Sequence, residues 1–524
     1  LVKTKSRHYF VLLTRNIPTA MPIINSIISW FVTKRKYQID FFRKYPSEVQ
    51  NDTLNRLVRE GRNTIFGHDH DFQGIGNYQE FTDHVPVRDY PAIKPYIERA
   101  MKGEPGVLWP GEIRWFAKSS GTTGDKSKFI PVTRSNIEEC HFQGGKDSLI
   151  FYFDHYPDNE LLSGKSLVVG GSHQVSNINS EVYFGDVSAV LLQNLPAYAH
   201  WIRTPDLSVA LMGEWEQKLD RMAEITSRQM VTSLAGVPSW TLVLMKKILE
   251  KTGKQVISEV WPSLELFIHG GVSFEPYREQ FRAVIGSDRM RYMETYNASE
   301  GFFGIQDDPG SSDMLMMLDY GVFFEFIPIE ELEKEKPATF TLDQVETGRN
   351  YAMVISTSGG LWRYLLGDTI RFTSLKPVRF RISGRTRHFI NAFGEELIVE
   401  NAEFALRHAC EGTRAEITDY TAAPVFMGEG EKARHQWLIE FNRPPENMER
   451  FGELLDSALK SVNSDYEAKR YKNLALHPPE IIPVKAGTFY EWLKMKNQLG
   501  GQHKIPRLSN DRKMVEELFC IIQS

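Results

Sequence analysis

A run of small hydroxyl and glycine residues, Ser119-Ser120-Gly121-Thr122-Thr123-Gly124, is closed by Lys126 and Lys128. It sits between two β-favouring segments, Trp115-Phe116-Ala117 and Phe129-Ile130-Pro131-Val132. Residues this small let backbone N–H groups approach a polyphosphate, the hydroxyls donate further hydrogen bonds, and lysine brings mobile positive charge. A P-loop needs G-x-x-x-x-G-K-[ST] ahead of a helix. With Lys126-Ser127 as its K-S pair, Ser120 and Asp125 stand where both glycines belong, and an extended segment follows. The next helix signal comes only at Ser135-x-x-Glu138. A phosphate loop between strands points away from kinases and NTPases and toward activation of a carboxylate by transfer of AMP.

Four further segments carry matching chemistry. Met293 to Gly301 reads as a strand running into a polar turn, with Tyr296 as a face for a base and Glu300 as a carboxylate suited to Mg2+. Gly359 to Ile370 reads as a strand that delivers Asp368 at a glycine turn, where one carboxylate can accept from both hydroxyls of a ribose. Gly384-Arg385 punctuates the end of a β-rich region, and Leu499 to Arg507 presents Lys504 on a Gly-rich turn stiffened by Pro506. Each residue alone has a commoner structural use, as core tyrosine, solvated acid, turn aspartate or surface lysine. Their joint order singles them out.

The elements that must position these groups are legible in outline. With 524 residues, 41% of them hydrophobic and 25% charged, the chain is too long for one core and too ordinary for a disordered or fibrous class. A net charge of -5 gives no broad electrostatic case for nucleic acid. Cys140, Cys410 and Cys520 lie far apart, which suggests neither a disulfide framework nor a zinc site and favours the cytoplasm. No H-E-x-x-H, G-x-S-x-G or G-x-G-x-x-G signature occurs. The apolar stretch from Met21 to Val32 is about half the length of a bilayer span and keeps helical spacing at Ile24, Ile27, Ile28 and Phe31. It reads as a first helix, with residues 1–20 a loosely held extension and no membrane segment.

Short apolar strands near 166–171, 230–238 and 264–271 alternate with helical runs, an α/β signature. Successive β-rich runs over about 315–381 read as an antiparallel, barrel-like part beside it. Beyond Gly384, helix, strands and helix make a small α+β domain. The expected organisation is a large domain over 21–383 and a small one over 384–524. Candidate walls for a substrate pocket are Phe142, Phe151 and Phe153 on one helix, with Val237 and Trp240.

Ser119-Ser-Gly-Thr-Thr, Tyr296-Asn-Ala-Ser-Glu300, Arg363-Tyr-Leu-Leu-Gly-Asp368 and Gln502-His-Lys504-x-Pro-Arg507 resemble the ordered motifs of the Gretchen Hagen auxin-responsive family of acyl-acid amido synthetases, in particular its bacterial members. The likeness runs from about Met21 to the C-terminus and takes in Ala235 to Trp240 and Ile268 to Gly271. It departs where Gly124 follows Thr123 directly, where Leu365 replaces an arginine of plant members, and where His503 replaces a tyrosine.

The resemblance implies an adenylate-forming fold, with a large N-terminal domain and a mobile α+β domain hinged near Gly384–Arg387. It implies ATP and Mg2+ as cofactors, and a carboxylic acid joined to AMP and then passed to an amine, typically an amino acid. Ser119, Ser120, Gly121, Thr122, Thr123 and Lys128 would hold phosphate oxygens, with Thr122 taking part in the chemistry beside Lys504. Gly270, Gly271 and Tyr296 would flank the adenine, Asp368 the ribose and Glu300 the Mg2+; Ser299 and Arg385 complete the expected nucleotide site. A monomer is expected. The rival readings are a CoA ligase using the same adenylation step, and a non-catalytic small-acid-binding protein.

Overall fold

The computed structural model describes residues 22–120, 127–170, 176–177, 182–197, 199–272, 274, 277–332, 334, 336–385, 389–426, 433–496 and 505–523. The N-terminal extension, Gly121, Thr122, Thr123 and Lys504 lie outside them. The expected first helix is α1 (Pro22–Lys44), followed by α2 (Pro46–Gly61), which starts on a proline. No described helix is long and apolar enough to cross a membrane.

The strands on either side of the hydroxyl-rich segment are the two arms of a hairpin. Strands β1 (Trp115–Ser120) and β2 (Ser127–Val132) pair antiparallel, with Ser119 opposite Lys128 and Ser120 opposite Ser127. A short π-helical turn (Asn136–His141) and α3 (Phe142–His155) come only after β2. The strand-to-helix step of a P-loop is therefore absent at this segment.

Strands β3 (Lys165–Val169), β4 (Ser176–Asn177) and β5 (Tyr183–Gly185) follow, then α4 (Val187–Gln193), β6 (Arg203–Thr204), α5 (Trp215–Thr226) and β7 (Val231–Gly236). The order continues through α6 (Pro238–Thr252), β8 (Leu266–His269), α7 (Arg278–Ile285) and β9 (Arg291–Ala298). Local chemistry sets these boundaries: α6 begins on Pro238 and stops at Gly253, whose φ of +68° a side chain would resist. Neighbours β6, β3, β7, β8 and β9 run parallel, as connections through helices require.

The β-rich region supplies β10 (Gly301–Ile305), β11 (Met314–Met316), β12 (Val322–Pro328), β13 (Asn350–Thr357), β14 (Tyr364–Leu375) and β15 (Val378–Arg385). These pair antiparallel, as expected over 315–381, and β10 joins them to β9. Parallel and antiparallel halves thus form one eleven-stranded sheet, ordered β12-β13-β14-β15-β11-β10-β9-β8-β7-β3-β6. Strands β1, β2, β4 and β5 make a separate sheet.

After the two-stranded pair β16 (Phe389–Ile390) and β17 (Leu397–Ile398), the smaller domain contains α8 (Val399–Thr413), β18 (Glu416–Val425), β19 (Arg434–Arg443), α9 (Met448–Val462), α10 (Ser464–Arg470), β20 (Glu480–Val484), α11 (Thr488–Met495) and α12 (Lys513–Gln523). Its three-stranded sheet carries the helices, and its core runs into that of the larger domain: Trp240 and Tyr277 share a buried apolar cluster with Ala392 and Phe393. Polar bonds cross the same boundary, from the Tyr277 hydroxyl to the Ala392 carbonyl at 2.7 Å and from Asn391 Nδ2 to the Gly271 carbonyl at 3.0 Å.

Candidate active site

The C-terminal ends of β7, β8 and β9 open into a cavity of about 1400 Å3, where open α/β sheets bind ligands. Ser119 and Lys128 reach it from the hairpin, Val237 and Gly271 from turns after parallel strands, and Asp368 and Gly384 from β14 and β15. Glu396, Asp465, Lys469 and Asn510 to Arg512 reach it from the smaller domain. Residues 505–508 instead pack on β18, where Thr421 donates to the Pro506 carbonyl at 2.6 Å.

Pairing of Ala298 with Gly301 leaves Ser299 and Glu300 as a two-residue turn between β9 and β10, and both line the cavity. Behind the turn, His141 Nδ1 lies 2.9 Å from the Asn297 side-chain oxygen. Burial pushes this imidazole down to about 4, so near neutral pH the ring is uncharged and Nδ1 is the donor. Glu300 is buried at the cavity wall. Burial pushes its carboxyl up to about 7, against the pull of Lys128 and with the added repulsion of Glu396 and Asp368.

Gly367 has a φ of +94°, a left-handed bend that a side chain would resist. The bend is followed by Asp368, paired in register with Arg385. The Tyr296 hydroxyl donates to the Asp368 carboxylate, and its ring stands edge-on to Phe303 with centroids 5.1 Å apart. The aromatic residue expected beside a base is therefore also tied to the residue expected at the ribose. Gly270 serves packing: a Cβ there would lie 2.3 Å from the Thr295 carbonyl oxygen. Gly271, at φ +81°, lines the cavity itself. For Ser120 and Arg385 the strand positions alone are described.

Arg363 does not line the cavity. Its guanidinium is buried, bonded to both oxygens of Glu325 at 2.9–3.1 Å and to the Val85 carbonyl at 2.6 Å. It braces the start of the strand that carries Asp368. The expected aromatic wall is also different. Phe142, Phe151 and Phe153 pack into the core of the larger domain, whereas Tyr156 and Tyr292 line the cavity. Aromatic spacing on a helix is the same for a core face and a pocket face, so the sequence could not separate the two. Val237 lines the cavity as expected, and Trp240 is buried beside it.

Sequence reading missed His141, Asp186, Glu396 and Lys469. Asp186 caps α4 by accepting from the Ala189 N–H at 2.9 Å, while its other oxygen is buried with no hydrogen-bond partner among the described residues. Among those residues, no group of three or more His, Cys, Asp or Glu could hold a metal ion. A cation at Glu300 would complete its shell with phosphate oxygens and water, as Mg2+ commonly does.

The sequence matches the GH3 family N-terminal domain over residues 35–290, the GH3 family central domain over 315–385 and the GH3 family C-terminal domain over 400–513. It is 24% identical to a jasmonoyl–L-amino acid synthetase of Nicotiana attenuata, over 90% of this chain and 92% of that one. Identity is 22% with an indole-3-acetic acid-amido synthetase of Arabidopsis thaliana, over 93% and 92% of the two chains. Among solved structures, the GH3.15 acyl acid amido synthetase in complex with 2,4-DB has a TM-score of 0.61 at 18% identity, covering 93% of this chain and 96% of that one. A 2-hydroxyisobutyryl-CoA ligase in complex with 2-HIB-AMP and CoA has a TM-score of 0.54 at 13% identity, covering 92% and 94%.

Proposed function

This chain belongs to the GH3 family, and on that premise we propose that it is an ATP-dependent acyl acid amido synthetase. A carboxylate oxygen of the acid attacks the α-phosphorus of ATP, and the bond to pyrophosphate breaks. The amine nitrogen of an amino acid then forms a C–N bond to the acyl carbon, AMP leaves with the C–O electrons, and one proton passes to solvent. The observation that carries this reading is the convergence of Ser119, Lys128, Tyr296, Glu300 and Asp368 on one cavity.

Two anions must meet in the first step, so electrostatic stabilisation is the largest contribution asked of the protein. Ser119, Ser120, Gly121, Thr122, Thr123 and Lys128 bind the phosphates, with Thr122 beside the reacting oxygens. Tyr296, Gly270 and Gly271 form the adenine side, Asp368 accepts from the ribose, and Ser299 and Arg385 border the nucleotide. Glu300 fits Mg2+, because its buried carboxyl lies near Glu396 and Asp368 and has Lys128 as the cation that favours its charge. When bound there, Mg2+ draws charge from the departing pyrophosphate. Lys504, on a domain of residues 384–524 that swings about 384–387 against residues 21–383, serves the α-phosphate and acyl oxygen.

We place the protein in the cytoplasm, since its cysteines are unpaired and far apart. We take it to act as a monomer. Mass spectrometry of reactions holding ATP, Mg2+, a panel of carboxylic acids and either amino acids or CoA tests the reading. Amide with AMP is expected. Thioester without amide would move the protein to the CoA-ligase reading, and no product with any acid would leave a binding protein.

A further inference from the structure

Lys469 is a charged group of the cavity wall that the mechanism above does not use. It projects from α10, which is fixed to the smaller domain: Tyr466 donates to Asp456 at 2.8 Å, and Arg470 makes two bonds to the same carboxylate at 2.7 and 2.9 Å. The Lys469 ammonium lies 5.2 Å from the centroid of the Trp240 ring, so one side of it faces an aromatic surface contributed by the larger domain. It has no hydrogen-bond or ion-pair partner among the described residues. Opposite it, Gly394 leaves open the space a side chain would take, since a Cβ there would stand 3.1 Å from Lys469 Cε and 3.4 Å from Nζ. An ammonium whose three donors make no hydrogen bond among the described residues, held against an aromatic face at a cavity wall, is arranged to receive an anion.

Three carboxylates lie on the same wall. Asp465, Glu395, Asp186 and Glu396 all act electrostatically on Lys469, and of these Asp465, Asp186 and Glu396 line the cavity. One oxygen of Asp186 is buried and unbonded. A cation set among carboxylates suits a zwitterion better than a polyphosphate, which those carboxylates would repel. The nucleotide phosphates already have the hairpin and Lys128. An amino acid brings one carboxylate and one ammonium, the two charges this wall can pair.

Resting on the amido-synthetase reading, we propose that Lys469 binds the α-carboxylate of the acceptor amino acid, with Asp186 and Glu396 facing its ammonium group. Lys469 and Gly394 come from the smaller domain and Val237 and Trp240 from the larger, so this acceptor subsite exists only while the two domains pack as they do here. Lys469 is thereby a specificity-determining residue for the second half-reaction.

The test compares kcat/KM for an accepted amino acid with that for its carboxamide, which keeps the amine and side chain and loses the negative charge. In the full-length wild type, the amino acid is preferred by about 100-fold, and Lys469→Met reduces that preference to within about threefold by weakening the amino acid alone, as expected when one partner of a desolvated charge pair is removed. Lys469→Arg restores most of it. Acid-dependent pyrophosphate exchange, run on the same preparations, reports folding and the first half-reaction, and Lys469→Gln replaces the methionine variant if that one is insoluble. An undiminished preference in the variants overturns the assignment. Loss of exchange with a raised KM for ATP also overturns it, and gives the lysine to the nucleotide. Wild-type protein that forms no amide from any amino acid overturns the amido-synthetase reading itself.

Discussion

The hydroxyl of Tyr296 donates to the carboxylate of Asp368, joining the end of β9 to the bend of β14. The strand ending at the Ser299–Glu300 turn and the strand carrying the proposed ribose acceptor are thus held at one spacing. Asp368→Asn keeps the shape and removes the charge that would bind two ribose hydroxyls. Its KM for ATP in pyrophosphate exchange is expected to rise about 10- to 100-fold, the worth of a charge-assisted hydrogen bond, with a smaller change in KM for the acid. An unchanged KM for ATP would remove the ribose role.

Glu300 links the cavity to pH. Burial raises its carboxyl from 4.5 to about 7, so the native state keeps a proton that the unfolded chain has lost. The stabilisation is complete below about 4.5 and is lost as pH rises through about 7. The difference is on the order of 3 kcal/mol. Nucleotide-free Glu300→Gln should therefore unfold at higher urea than wild type at about pH 8 and at similar urea near pH 5. Parallel curves across that interval would contradict the burial-driven rise.

The buried Arg363–Glu325 pair makes a stability prediction separate from chemistry. Arg363 also adopts a φ of +43°, so its side-chain bonds hold a strained backbone. Arg363→Met leaves Glu325 buried without its cation, which costs about 3–5 kcal/mol. Urea denaturation should register that loss. A variant within about 1 kcal/mol of wild type would show that the pair is not the brace for β14 described here.

Gly270→Ala places a methyl group against the Thr295 carbonyl, 2.3 Å from its oxygen. The ends of β8 and β9 must separate, at a cost of about 1–3 kcal/mol. Thermal unfolding should fall and KM for ATP should rise together. A fall in stability with nucleotide affinity intact would detach this turn from the adenine side.

Lys504→Ala should abolish pyrophosphate exchange yet still convert supplied acyl-adenylate and amine to amide. Equal loss of both half-reactions, measured by single-turnover mass spectrometry, would deny the lysine a step-specific role.

Groups contiguous in sequence were readable, and groups assembled by tertiary packing were not. The hydroxyl run between β-favouring segments predicted a loop between strands rather than a P-loop, and the flanking strands do form, pairing Ser119 with Lys128. Gly367 predicted the bend ahead of Asp368, because a left-handed residue has few substitutes. His141 supports the Glu300 turn from 156 residues before Asn297, a relation no local pattern encodes. Lys469 gains its meaning only from Trp240 and Gly394, which come from opposite sides of the domain boundary. The aromatic residues of α3 misled because the same spacing serves a core.

Acid-dependent exchange of labelled pyrophosphate into ATP tests the central claim most directly, since it reads acyl-adenylate formation without needing the acceptor. The account expects exchange that requires a carboxylic acid and Mg2+, proceeds with no amine present, and falls sharply in Asp368→Asn. ATP turnover to ADP, or exchange indifferent to every acid supplied, would contradict it.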